Sequence, residues 1–314
     1  MAVVNAHSSQ IQQQSDVDEL FDVKNLFYIG NFQQCINEAQ KVKIVLLETK
    51  LERDVFVYKA YIAQKKYKIV IDEISEKSPV ELQVLKLLSE FFVSPNEKQN
   101  ILQTYLDKFS VFENENHHVV MAAATIYIHD DQFENALQVL HRNDHLECLS
   151  VALQIYISMS RIDLARKELK KMQEKDEDSL LTQLAQAWVN IAMGRDKLED
   201  AYYIIQEIID KYGSSVNLLN CQAVCYIVQG KYEEADSALQ EAMEKDNNNP
   251  DTLINSIVLS AHLNKPSEVT SRYLMQLKES HFNTGFIKDL NIKENEFNEL
   301  FLEYETKNIL EIGV

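Results

Sequence analysis

The sequence predicts an all-α protein built from repeated helical hairpins, and three observations support this class. Gly occurs only 6 times and Pro 4 times in 314 residues, whereas β-sheet proteins need more of both in their turns. Ala, Leu, Glu, Gln and Lys, which are good helix formers, are abundant. The third observation is a repeated pattern of small and aromatic residues, clearest in AVCYIVQGKYEEADSALQEAMEKDNNNP (223–250).

The repeated pattern has a step of 34 residues, which separates Ala201 from Ala235 and Ala235 from Val269. This is the step of tetratricopeptide repeats, whose unit is a helix–turn–helix. A small residue at this position lets the second helix approach the first, so we expect Ala235 to lie between the two helices of its unit. The sequence therefore favours a tetratricopeptide-like solenoid of helical hairpins, or superhelix. An ordinary helical bundle with chance spacing is the alternative.

The elements of a unit follow from the same stretch. Gly230, Lys231 and Tyr232 turn the chain between two helices, and DNNNP ends the second helix before Pro250 opens the next unit. Seven or eight helix pairs result, followed by a C-terminal helix around 294–310. Upstream the spacing drifts, and the positions predicted to match Ala235 are Cys35, Val70, Ile101, Ala136 and Ala165. We assign 1–16 to a disordered tail and 17–314 to a single solenoid with its C-terminal helix.

Charge and composition exclude several classes of partner. The net charge of −18 argues against direct binding of nucleic acid or anionic lipid, because both require a basic surface. The first 20 residues contain no basic segment followed by an apolar one, and no apolar run of about 18 residues could span a membrane. We therefore predict a cytoplasmic protein with reduced cysteines.

No catalytic or cofactor-binding residues are predicted. The sequence contains no P-loop, dinucleotide-binding glycine loop, nucleophile elbow or HExxH motif. Cys221 and Cys225 are four residues apart, but no second pair of ligands is close in sequence, so burial as small apolar residues is favoured over zinc binding.

No metal-binding residues are predicted either. The group most like a metal site is His141, His145 and Cys148 in HRNDHLEC, but RND is expected to end a helix and so to separate these side chains. His117 and His118 follow ENEN and are expected to be solvated loop residues.

The predicted binding surface is the concave face formed by the first helices of the units. Each first helix also has a small residue, which is Ala223 in the stretch 223–250. When this residue is counted as position 8, positions 5, 9 and 12 of the helix point into the groove. The predicted groove residues are Met121, Thr125, Ile128, Gln154, Ile157, Asn190, Met193, Asn220, Val224, Ile227, Ile254 and Val258. Their apolar and amide side chains suit an extended peptide segment. Alternatively, the superhelix closes tightly and these residues pack within it.

Two functional classes are open on these residues. The first is a structural protein that holds one segment of a large partner, and the second is an adaptor or co-chaperone that captures acidic peptide tails. The adaptor needs a cluster of Lys, Arg and Asn to bind carboxylates, and the predicted groove residues include Asn but neither Lys nor Arg, which favours the structural protein. A hydrolase on a helical scaffold has no positive support.

Several stretches resemble the epsilon subunit of the coatomer (COPI) vesicle coat. They include VDELFDVKNLFYIGNFQQCINEAQ (17–40), ERDVFVYKAYIAQKKY (52–67), TQLAQAWVNIAMG (182–194) and PDTLINSIVLSAHLNKPSEVTSRYLMQLK (250–278), and the resemblance covers the chain after about residue 16. The resemblance implies a non-enzymatic tetratricopeptide-like superhelix without cofactors.

The resemblance also implies partners and a location. The expected direct partner is the C-terminal region of the coatomer alpha subunit, and the other coatomer subunits and the Arf GTPase are expected to be indirect partners. The protein is then expected on Golgi membranes and COPI-coated vesicles, held there peripherally through the coat. Its expected role is retrograde Golgi-to-ER and intra-Golgi transport.

Overall fold

The computed structural model describes residues 18–44, 46–94, 98–112 and 116–312. Within them the regular secondary structure consists of seventeen α-helices and one short 3-10 helix, with no β-strand. The prediction of an all-α protein is confirmed. The tail predicted at 1–16 lies outside the described residues.

Helices that follow one another in the chain pair as antiparallel hairpins, and the chain divides into two compact units. The first unit ends at Gly213 and contains six hairpins, formed by α1 (Phe21–Tyr28) and α2 (Phe32–Lys41), α3 (Leu47–Ala63) and α4 (Tyr67–Glu73), α5 (Val80–Val93) and α6 (Lys98–Lys108), α7 (His117–His129) and α8 (Phe133–Leu140), α9 (Leu146–Ser158) and α10 (Ile162–Lys175), and α11 (Leu180–Met193) and α12 (Lys197–Tyr212). The 3-10 helix, Ser110–Phe112, follows α6.

The second unit begins at Ser214 and contains two hairpins and a long terminal helix. Its helices are α13 (Val216–Val228), α14 (Tyr232–Lys245), α15 (Pro250–His262), α16 (Ser267–Ser280) and α17 (Gly285–Ile312). The C-terminal helix thus begins earlier than the predicted 294. The reason is that Ile287, in the first turn of α17, is buried against Leu253 and Leu277.

The register of small residues is confirmed by burial. The exposed fraction is 0% at Cys35, Val70, Ala136, Ala165, Ala201 and Ala235, and 7% at Ile101 on α6. Val269 is the exception, because it is only half-buried. It lies near the start of the last paired helix, α16, whereas α17 covers the other end of that helix at Leu277.

One turn geometry recurs in most hairpins. At Gly230 the backbone is left-handed (φ 77°), and its N–H bonds to the carbonyl of Ile227 (3.1 Å) while the next N–H bonds to that of Tyr226 (2.9 Å). These two bonds define a Schellman motif, which satisfies the last carbonyls of the first helix. The same pair of bonds, with a positive φ, is found at Gly30, Lys65, Asp131, Ser160 and Asn264. The predicted turn at Gly230 is therefore confirmed.

Substitutions at two of these turns are expected to change the free energy of unfolding in opposite directions. A Cβ built at Gly230 meets no atom within 4 Å, so Gly230→Ala should cost only the left-handed backbone penalty, about 1 kcal/mol. Ser160 already bears that penalty at φ 59°, so Ser160→Gly should raise the free energy of unfolding by a similar or smaller amount. Urea denaturation measures both variants, and shifts of the same sign would contradict this explanation.

Overpacking at Ala235 is expected to destabilise the second unit. Ala235 is 0% exposed and packs with Ala223 and Leu239 between α13 and α14. Ala235→Trp should therefore lower the free energy of unfolding by at least about 1–3 kcal/mol. Ser237→Trp, at an exposed position of the same helix, is the matched control and should change it by less than about 0.5 kcal/mol. Equal melting temperatures for the two variants would refute this packing assignment.

Candidate functional site

The twelve residues predicted to face a groove differ in exposure. Gln154, Met193 and Val258 are exposed, whereas Asn190 and Asn220 are only 7% and 6% exposed. The others are half-buried, namely Met121, Thr125, Ile128, Ile157, Val224, Ile227 and Ile254. The half-buried apolar side chains keep surface that a partner could cover, whereas the two buried asparagines offer little.

In the first unit these side chains take part in packing. Met121 and Ile128 lie against the large core cluster around α7, and Ile157 lies against the next cluster along the chain. The Thr125 hydroxyl donates to the carbonyl of Met121 (2.7 Å). Met121, Ile128 and Ile157 therefore contribute to the core of the first unit as well as to its surface, whereas Met193 is exposed.

In the second unit Asn220 joins two successive first helices. Its Nδ2 donates to Thr252 Oγ1 (2.8 Å) and to the carbonyl of Val216 (3.0 Å), and its Oδ1 accepts from Asn255 Nδ2 (3.0 Å). A buried amide must be paired in this way, so Asn220 is engaged inside the unit. The bonds hold α13 beside α15.

The positions of Val224 and Val258 repeat after 34 residues on these two adjacent helices. Val258 is 40% exposed and Val224 is half-buried. Ile227 packs only in part against the core cluster of α13 and α14. These three residues define the first-helix face of the second unit.

The terminal helix α17 carries a second apolar surface. Phe297, Leu300, Phe301 and Tyr304 recur at helical spacing and are 53–68% exposed. Such a stripe of large apolar side chains is typical of a surface that binds another protein. Its spacing is visible in the sequence, but none of these residues is among the predicted groove residues.

The most buried charge of the first unit is Glu147, near the start of α9. Its Oε1 accepts from the Tyr28 hydroxyl (2.8 Å) and its Oε2 from Lys59 Nζ (2.7 Å), so the carboxylate links the first, second and fifth hairpins. Burial opposes its ionisation, but the charge and hydrogen bond of Lys59 outweigh burial and hold the pKa of Glu147 well below its usual range. The sequence pattern did not reveal this cluster, because its members are up to 119 residues apart.

The expectation that His117 and His118 are solvated loop residues is wrong. They begin α7, where the Asn116 side chain accepts the backbone N–H of His118, and His118 is only 7% exposed. The His117 ring lies 3.8 Å from that of His118 and 3.7 Å from that of His145, measured between centroids. Burial lowers the pKa of His117 to about 4 and that of His118 to about 2, so both rings are neutral at pH 7.

The other cysteine and histidine candidates are separated. His141 Nε2 contacts the Tyr156 hydroxyl (2.9 Å), whereas Cys148 is 1% exposed in the core. Cys225 is also buried, as predicted, but Cys221 is half-buried. Burial raises the pKa of Cys148 and Cys225 to about 12, so these thiols are protonated and poor nucleophiles.

Among the described residues, no helix is long and apolar enough to cross a membrane.

Comparison with known proteins gives one consistent match. The family model described as "Coatomer epsilon subunit" matches residues 16–305. The chain is 38% identical to coatomer subunit epsilon-1 of Arabidopsis thaliana over 89% of this chain and 95% of that protein. It is also 38% identical to coatomer subunit epsilon of Caenorhabditis elegans, over 89% of this chain and 96% of that protein.

Solved structures agree on the fold. A tetratricopeptide repeat protein from Parabacteroides merdae gives a TM-score of 0.56 at 16% identity, covering 82% of this chain and 96% of that one. A Rap protein in complex with competence and sporulation factor gives a TM-score of 0.54 at 12% identity, covering 91% and 92%. At these identities the likeness establishes a tetratricopeptide-like arrangement of helical hairpins and nothing further.

Proposed function

Because the chain belongs to the coatomer epsilon-subunit family and is therefore a subunit of the COPI coat, we propose that it holds the C-terminal region of the coatomer alpha subunit within that coat. The observation that carries the proposal is the family match over nearly the whole chain, on a scaffold of helical hairpins. Helical-hairpin repeats bind extended segments with their exposed faces, which suits a lasting structural contact.

The binding surface that we propose is the first-helix face of the second unit. Val224, Ile227 and Val258 present apolar surface on helices that Asn220 holds together, so the face is already arranged before a partner arrives. Burial of such groups drives association, and a preformed face lowers the entropic cost.

We further propose that the protein has no catalytic activity and acts by assembly alone. As a coat subunit it works on the cytoplasmic side of membranes. Recruitment to Golgi membranes would then come through the other coatomer subunits and the Arf GTPase, for retrograde Golgi-to-ER and intra-Golgi transport. The net charge of −18 supports this indirect route, because the chain by itself would be repelled by anionic lipid.

The alternative is a general adaptor for acidic peptide tails. Such adaptors bind carboxylates with Lys and Arg, and the first-helix face of the second unit presents Val224, Ile227 and Val258 instead.

The apolar stripe of α17 is a second candidate surface for the alpha subunit, because Phe297 and Phe301 are more than half exposed.

The experiment is affinity purification of the tagged full chain from cytosol at moderate salt, followed by gel filtration with the purified C-terminal region of the alpha subunit. We expect coatomer subunits in stoichiometric amounts and a direct complex with this region. Recovery of coatomer without that direct complex would reject the proposed partner. If chaperones are recovered with the tagged chain and are washed off by added salt, the result would favour the adaptor instead.

A further inference from the structure

Three side chains at the starts of α7 and α9 bring possible metal-ligand atoms together. His117, His145 and Glu147 each offer one such atom, and all three atoms lie within 4.8 Å of one another. Among the described residues they are the one group of three or more His, Cys, Asp and Glu side chains with this proximity. Two imidazoles and a carboxylate are a donor set that zinc uses when one coordination position stays open.

The donor atoms are chemically available, because each imidazole offers one ring nitrogen to a metal while its other nitrogen can make a hydrogen bond. His145 uses Nδ1 to accept the backbone N–H of Glu147 (3.3 Å), which leaves its Nε2 as the ligand atom. Glu147 already accepts from Tyr28 and Lys59, but a carboxylate accepts about four hydrogen bonds, so each oxygen keeps a free lone pair.

The group lies on the wall of a cavity through which an ion could enter. The cavity has a volume of about 460 Å³ and belongs to the first unit. Its lining includes more acidic than basic side chains, with Asp18, Glu52, Asp176 and Asp178 in addition to Glu147, against Lys24 and Lys211. Lys24 pairs with Asp18 (2.9 Å) and Glu52 (2.8 Å), so this lysine is already neutralised.

We propose that His117, His145 and Glu147 form a zinc-binding site that joins the start of α7 to the start of α9. Ligand atoms around tetrahedral zinc are about 3.3 Å apart, for bonds of about 2.0–2.1 Å. The three side chains therefore need to move by about 1 Å, and the His117 ring, whose plane lies at 16° to that of His145 in the stack, must rotate so that both in-plane lone pairs meet at one ion. The fourth position would be open to water from the cavity, and the other bonds of Glu147 would orient the carboxylate.

Lys59 limits the affinity of the site for zinc. Its Nζ lies 2.7 Å from Glu147 Oε2, so it neutralises the carboxylate when no ion is bound and repels an incoming cation. The unit is therefore complete without metal, and zinc would add to its stability as a ligand does, by binding the folded state. The protein should fold in chelator and melt at a higher temperature when zinc is added.

The test uses the full chain after dialysis against chelator, titrated with Zn²⁺ by calorimetry and with Co²⁺ by absorption spectroscopy. His117→Gln removes one ligand, and His145→Asn removes another while keeping an acceptor for the backbone N–H of Glu147. His141→Gln is the matched control, because His141 is also exposed in this unit but contacts Tyr156 instead. Circular dichroism checks that all the variants are folded.

We expect one Zn²⁺ per chain, at least about tenfold weaker binding in His117→Gln and His145→Asn, and unchanged binding in His141→Gln. Visible cobalt bands without a thiolate charge-transfer band would support the histidine and carboxylate ligands. Absence of saturable binding, or equal binding by all three variants, would overturn the site. A thiolate band, or loss of binding in His141→Gln, would overturn this ligand set in favour of one that includes Cys148 or His141.

Discussion

Lys59→Met is expected to lower the free energy of unfolding by about 3–5 kcal/mol, because it leaves the carboxylate of Glu147 buried without a cation. The side chains of Lys59 and Glu147 are 12% and 5% exposed, so water from the neighbouring cavity replaces the lost cation only in part. The Tyr28 hydroxyl would still donate to Glu147, but a neutral donor does not balance the charge. Urea denaturation in the presence of a chelator measures the effect without any contribution from bound metal.

Two further variants separate buried charge from the mere loss of a lysine. Lys197→Met removes a surface pair with Asp200, whose side chains are 51% and 52% exposed, and should cost less than about 1 kcal/mol. The double variant Lys59→Met with Glu147→Gln removes both charges and should be more stable than Lys59→Met alone. If Lys59→Met and Lys197→Met cost the same, the pair with Glu147 contributes no more than a surface ion pair.

The same pair predicts how stability depends on pH in chelator. The pKa of Glu147 is lower in the folded than in the unfolded chain, so the unfolded chain takes up the proton first as the pH falls. The stabilisation is therefore complete above the ordinary glutamate pKa of about 4.3 and is lost progressively below it. Melting temperatures measured between pH 7 and pH 3 should fall more steeply in the parent chain below that pKa than in the double variant.

Val224→Asp combined with Ile227→Glu is expected to abolish pairing with the C-terminal region of the alpha subunit. If that region covers the first-helix face of the second unit, both new carboxylates lose water without gaining a cation, which costs several kcal/mol. Ile227 also packs in part against the core, so circular dichroism must show that the variant is folded. Val258→Asp tests the same face at a side chain that is 40% exposed, where the cost to folding is small.

The control is Lys245→Glu on α14, the second helix of the same hairpin. It changes the net charge by −2, as the double variant does, so long-range repulsion affects both equally. Its pair with Glu241 is a surface i, i+4 contact of 3.7 Å and contributes little. Gel filtration with the alpha-subunit fragment should show a complex for the control only. A complex with the folded double variant and with Val258→Asp would move the proposed interface to α17, where Phe297→Asp with Phe301→Glu is the next test.

The local and periodic features of the protein could be derived from its sequence. The helical composition, the 34-residue step and the turn at Gly230 each depend on residues close together in the chain. Helix propensity, a left-handed turn and the burial of Ala235 against its own hairpin are short-range effects. The resemblance to the coatomer epsilon family came from strings of residues along the chain, and the family match over 16–305 confirmed it.

Only the tertiary structure decided which polar residues are buried together. Asn220 was expected to face a partner, but it bonds to Thr252 on the next first helix. His117 looked like a loop residue, yet its ring lies against His145, and Glu147 beside them is held by residues 88 and 119 positions away. No periodic pattern encodes such contacts, because they depend on how successive hairpins stack. A sequence gives the spacing along each helix, whereas the pairing of buried charges and amides is set by the three-dimensional approach of helices distant in the chain.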